Sequence, residues 1–164
     1  MEIGKYDVRE VANWFLHKEA MDQKKLQKIC YYAYAWYLYL NNDIEEGIHE
    51  RLFRNDIEGW VHGPVSRSLY SAFPYTGMTL LKPLKNSGTV PADDFDTVKF
   101  LEKIYNVFGK YTGNELESMT HHEYPWIASR RGLKSYDPGN VIISDNLMYN
   151  YCAEMSNDET QKDD

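Results

Sequence analysis

Long apolar runs are missing from this sequence. The longest uncharged apolar stretch, Ile29 to Leu40, is crowded with tyrosine and falls well short of the roughly 20 residues that a membrane helix needs. No apolar segment of the kind found in secretory leaders follows Met1 to Tyr6, so no signal peptide is expected and the cytoplasm is the expected location. Cysteine is scarce too: Cys30 and Cys152 stand apart in helix-like patterns, form no CxxC pair, and are read as small buried apolar groups. Positive charge is the minority sign, with 18 Lys and Arg against 25 Asp and Glu and a net charge of −7. Non-specific nucleic-acid affinity comes mainly from clustered cations, so no nucleic-acid partner is expected. Two local clusters, one of Lys24, Lys25 and Lys28 and one of Arg130, Arg131 and Lys134, are read as solvated faces. The glycine-rich phosphate loops, the serine nucleophile elbow and any internal repeat are also absent.

Aromatic residues are abundant: 14 Tyr, 4 Trp and 6 Phe in 164 residues. A chain of this length forms one domain that buries roughly two-thirds of its unfolded surface. Asp7 to Glu10 has the form of a capping box, followed by Val8, Val11, Ala12, Phe15 and Leu16 at helical spacing to about Lys18. A second helix begins near Asp22 with Leu26, Ile29, Cys30, Ala33, Tyr37 and Leu40 on one stripe. Tyr31, Tyr32, Tyr34, Trp36 and Tyr39 cover its other faces, which marks it as the central, most buried helix. Each buried phenol then needs a hydrogen-bond partner.

Asn41 to Asp43 ends that helix, and residues 44–61 read as a small two-stranded or irregular excursion. Pro64 suits the first turn of a helix carrying Val65, Leu69, Ala72 and Phe73, with Pro74 closing it. Residues 75–92 read as a long loop or a hairpin. Asp93 or Asp94 starts a helix that buries Phe95, Val98, Leu101, Ile104, Tyr105 and Phe108. Thr112 to Glu115 and Thr120 to Glu123 look like two further capping boxes, and Ser144 caps a last short helix through Leu147, Met148, Tyr151 and Cys152. The expected fold is mainly α: six or seven helices around the aromatic one, with a small β-hairpin insertion. Residues 1–155 form the domain, and the polar tail 156–164 is expected to be disordered.

The stretch Glu58 to Tyr70, EGWVHGPVSRSLY, concentrates chemistry in one place. His62 as a general base, backed by His121 or His122 and by Glu58 or Glu123, requires these segments to meet within proton-transfer reach. His62, His121, His122 and the cysteines have no zinc-ligand spacing, so no metal or cofactor is expected. In a third reading, the Gly63-Pro64 step sets Trp60 and His62 beside Arg67 and Tyr70, the residue types most enriched at interface hot spots. The same types fill ordinary cores, and Tyr124 and Trp126 carry the same ambiguity.

Three segments together resemble the Panacea domain, the SocA-like antitoxin family once described through phage-associated GepA proteins. They are KLQKICYYAYAW (Lys25 to Trp36), IEGWVHGPVSRSLY (Ile57 to Tyr70) and LESMTHHEYPWIASR (Leu116 to Arg130). The resemblance runs roughly from Val8 to Met155 and implies a cytoplasmic antitoxin, with links to prophages and phage defence, that neutralises a cognate toxin by direct contact. In one relative it implies a proteolytic adaptor that delivers its partner to a AAA+ protease. Trp60, Gly63, Pro64, Val65, Tyr70, His121 and Trp126 stand at the family's signature positions. Gly63, Pro64, Val65 and His121 are assigned to architecture; Trp60, His62, Arg67, Tyr70, Tyr124 and Trp126 are assigned to partner contact. A small enzyme using His62 and His121 as acid and base is the rival reading.

Overall fold

The computed structural model describes residues 3–73 and 77–162. The elements are α1 Val8–Lys18, α2 Gln23–Asn41, β1 Ile57–Trp60, β2 Gly63–Ser66, α3 Arg67–Ala72, α4 Phe95–Phe108, α5 Gly113–His121, α6 Tyr124–Ser129 and α7 Asp145–Lys162. The fold is mainly α, with seven helices and one antiparallel hairpin among the described residues.

Helix α2 is the axis of the domain. It starts at its N-cap Asp22 and packs against α1, α3, α4, α5, α7 and β2. Leu26, Ile29, Ala33, Tyr34 and Leu38 are fully enclosed, and Tyr31 and Tyr32 nearly so. Two of the buried phenols find partners as expected: Tyr32 donates to Glu123 Oε2 at 2.8 Å and Tyr34 to Asp145 Oδ1 at 2.7 Å. The Tyr32 ring stacks on Phe108 at 4.1 Å, tying α2 to α4. Leu40 departs from the expected stripe: it is 62% exposed on the last turn of α2, where no neighbouring element covers it.

Several other expectations hold and several fail for identifiable reasons. The capping boxes at Asp7 and Thr112 are both present, while Thr120 lies inside α5 and donates to Glu117 O, so the third box does not exist. Phe95 is 77% exposed. At 3.6 residues per turn it lies opposite Thr97, which begins the buried stripe Thr97, Leu101, Ile104 and Phe108. Residues 77–92 form a fastened loop with no strand of their own: the buried Asn13 side chain on α1 faces the carbonyls of Leu84, Ser87 and Gly88 and accepts from Leu84 N. Pro74 lies outside the described residues. Helix α7 runs on to Lys162, through seven residues expected to be disordered. Propagation adds one hydrogen bond per residue to a helix already anchored in the core by Met148 and Cys152.

The largest correction concerns Pro64, which lies in β2 and not in a helix. The register pairs Ile57 with Ser66, Glu58 with Val65, Gly59 with Pro64 and Trp60 with Gly63, so Val61 and His62 form a two-residue turn. Gly59 N donates to Val141 O on its other side, so Gly59 and Pro64 are a non-hydrogen-bonded pair and the nitrogen of Pro64 faces away from β1. The missing N–H costs nothing there. Ser66 N-caps the helix instead, and α3 begins at Arg67.

Candidate functional site

Both edges of the hairpin are occupied from within the chain. On the β1 side, Gly59 N bonds Val141 O at 3.0 Å and Ile143 N bonds Ile57 O at 2.8 Å. On the β2 side, the Gln27 amide donates to Ser66 O and accepts from Ser66 N, and Lys28 Nζ donates to Pro64 O at 3.3 Å. Edge-strand addition by a partner is therefore blocked at these positions, which leaves the faces and the turn as the presenting surfaces.

Lys28 and Lys25 are buried, at 2% and 9% exposure, and so is Arg130 at 6%, contrary to their reading as solvated cations. Burial pushes the Lys28 amine down to about 7, against the attraction of Glu117. Gly63 is explained by the same side chain. A Cβ there would lie 2.7 Å from Lys28 Cε and 3.0 Å from Thr120 Oγ1, and its φ of +108° is one that L side chains rarely adopt. Arg130 donates to Gly59 O, Lys134 O and Asp137 O, binding β1 to the segment that follows α6.

Trp60 is held from three directions. Its Nε1 donates to Glu58 Oε1 at 3.0 Å, and its carbonyl accepts from Trp126 Nε1 at 2.8 Å. Its ring meets the edge of Tyr70 at 4.9 Å and carries the Arg67 guanidinium at 5.6 Å. Arg67 grips Glu58 with two bonds of 2.9 Å, which lower the Glu58 pKa despite its burial. His62 projects from the turn with its side chain 72% exposed and its Nδ1 2.7 Å from Glu117 Oε1.

Trp60, Val61 and Val65 floor a cavity of about 460 Å³, with His62 and Arg67 at its rim and the 138–140 segment closing one side. Four of the six contact candidates thus gather here, Tyr70 through its edge contact with Trp60. Trp126 sits behind the cavity, half-buried, stacked on His121 at 4.1 Å and overlain by Arg130. Tyr124 is elsewhere: it lines a second cavity of about 380 Å³ with Leu147, Asn150, Tyr151 and Glu154.

The acid–base constellation does not converge in one cavity. Of the five residues weighed for it, His62, His121, His122, Glu58 and Glu123, His62 alone lines the first cavity. His121 lies under Trp126, its Nε2 enclosed and without a hydrogen-bond partner among the described residues, and burial lowers its pKa. Glu123 is bonded to Tyr32 on the other side of the α5–α6 junction. Among the described residues no group of His, Cys, Asp and Glu could hold a metal ion, and no helix is long and apolar enough to cross a membrane. Cys30 and Cys152 are free and buried.

The family model described as antitoxin SocA-like, Panacea domain, matches residues 26–127. The chain belongs to this family. No curated protein and no solved structure matches it. The Panacea match starts on α2 and ends on α6, so it takes in Lys28, the hairpin, Glu117, His121 and Trp126. The segment that closes the first cavity, and all of α7, lie beyond it.

Sequence reasoning read Lys28 as solvated and Glu123 as an acid–base partner of His62, where the structure buries both, and it missed the Glu58–Arg67 fork. The signal for Lys28 was present. A lysine one turn before Tyr32, on a helix apolar nearly all round, has no fully solvated face to occupy.

Proposed function

We propose that this Panacea-domain protein is an antitoxin that neutralises a cognate toxin in the cytoplasm by direct, stoichiometric binding, without a cofactor. The contact surface is the hairpin face around the first cavity. The observation that carries this reading is the fixing of Trp60 at its ring nitrogen, its carbonyl and its ring face beside an open, mainly apolar cavity. A side chain already held in place loses little freedom on binding, so more of the contact energy appears as affinity.

Trp60, Arg67, Tyr70 and His62 make the contact. Gly63, Pro64 and Val65 shape the hairpin, while His121 and Trp126 support it from behind. The net charge of −7 favours a toxin with a basic surface, since complementary potentials speed encounter and disfavour wrong partners. The whole of residues 1–155 acts as the domain, because α1 and α7, which lie outside the match, both pack on the α2 axis.

Co-expression with the product of the adjacent reading frame, read as growth together with a pull-down, tests the proposal. Rescue with a stable one-to-one complex is expected, and Val61→Glu, which puts a charge on the cavity floor without entering the core, is expected to abolish both. A toxic neighbour that the wild-type chain neither rescues nor binds contradicts it.

A further inference from the structure

The second cavity lies between α6 and α7 and has a different chemistry from the first. Its wall holds two phenol rings, Tyr124 and Tyr151, with the Asn150 carboxamide, the Glu154 carboxylate and Leu147. A π face, an amide oxygen and an anionic oxygen are the groups that hold an ammonium or guanidinium ion. Tyr124 already serves in this way: Arg131 lies over its ring at 5.8 Å and donates to its hydroxyl at 2.5 Å.

Behind Tyr151 sits Glu123, 8% exposed. One of its oxygens accepts from Tyr32, and the other is enclosed without a hydrogen-bond partner among the described residues. The groups that act on this carboxyl are Tyr32 on α2, His122 at the end of α5 and Tyr151 on α7, and Tyr31 and Cys152 also feel its charge. None of them is a lysine or an arginine. When this carboxyl ionises it therefore has no lysine or arginine to pair with, and the cavity beside it is aromatic and acidic, on a chain of net charge −7.

We infer that the cavity between α6 and α7 takes a single cationic side chain, arginine or lysine, from a basic segment of the toxin. The inference rests on the antitoxin reading above and adds a second anchor, remote from the Trp60 cavity, that selects for charge. Burial keeps Glu123 protonated up to about pH 7. An arriving cation favours the ionised form and draws that proton off, so binding tightens as pH rises through neutrality.

The test is a titration of the full chain with N-acetyl-L-argininamide, followed by NMR, with N-acetyl-norleucinamide as the uncharged control. Saturable shifts at Tyr124 and Tyr151 with the cation alone are expected. Affinity should rise roughly tenfold from pH 6 to pH 8, the ratio of ionised Glu123 at the two values. Glu123→Gln should remove the pH dependence, and Glu154→Gln should weaken binding at both pH values. Shifts scattered over the acidic surface and unmoved by Glu123→Gln overturn the site.

The purified toxin complex supplies the second arm. Loss of affinity in Glu154→Arg supports the toxin as the source of the cation. A complex indifferent to both Glu154→Arg and Glu123→Gln overturns the inference and leaves the antitoxin reading standing. Probe binding in a chain that forms no complex overturns the antitoxin reading, and the toxin as the source of the cation with it.

Discussion

Two buried ionisable groups, Lys28 beneath the hairpin and Glu123 beneath α6 and α7, meet the same problem in opposite ways. Burial moves both pKa values to about 7, one from above and one from below. Lys28 is closed in: Pro64 O accepts from it, Gly63 leaves room for its stem, and Glu117 supplies a counter-charge. Glu123 keeps one enclosed oxygen without a hydrogen-bond partner among the described residues, and a cavity lies beyond its neighbour Tyr151. The first arrangement holds a surface in shape. The second, on the inference drawn above, receives a partner group.

The comparison breaks most readily at Gly63. Gly63→Val drives methyl groups into Lys28 and Thr120 at a φ of +108° and is expected to cost more than about 3 kcal/mol in chemical denaturation. A variant as stable as the wild type contradicts the account of the hairpin.

The two groups also have opposite effects on stability against pH. Unfolded Glu123 releases its proton near 4.5 and folded Glu123 near 7, so stability falls as pH rises between these values. Unfolded Lys28 loses its proton near 10.5 and folded Lys28 near 7, so stability rises again as pH rises above 7. Denaturation from pH 5 to 9 is expected to show a trough near neutrality, on the order of 3 kcal/mol deep. Glu123→Gln should remove the falling limb, and Lys28→Met the rising one.

A smaller effect sharpens the hairpin side. Arg67→Lys keeps the charge and loses the planar fork on Glu58 and the platform over Trp60. It is expected to weaken toxin binding by roughly tenfold with little change in Tm. Smallest of all, truncation after Met155 leaves every residue named in the lining of the two cavities in place, and toxin affinity should not change. Loss of rescue on that truncation would favour the adaptor reading, in which the tail is a tether.

Where the sequence was legible, one periodic signal decided the outcome. The aromatic helix, its central place, the Asp7 and Thr112 boxes and the mainly helical class all follow from patterns within about twenty residues. Pro64 was misread because proline suits both a first helical turn and an outward-facing strand position, and the choice depends on Val141, more than seventy residues away. The charge clusters were misread for the same reason: whether Lys28 or Arg130 is solvated depends on which backbone carbonyl the fold brings to it. Of the site, the Trp60 to Tyr70 grouping was visible in the chain because it is local. The separation of Tyr124 from it and the unpartnered oxygen of Glu123 were not, because both depend on how α6 packs against α7.

The central claim is that the hairpin face holds the partner, and calorimetric titration of purified toxin into the full chain and into Val61→Glu tests it most directly. The account expects a one-to-one complex with the wild type and an affinity at least about tenfold weaker in the variant, both chains unfolding at the same temperature. Equal affinity and stoichiometry for the two chains would contradict it and place the interface away from the Trp60 cavity.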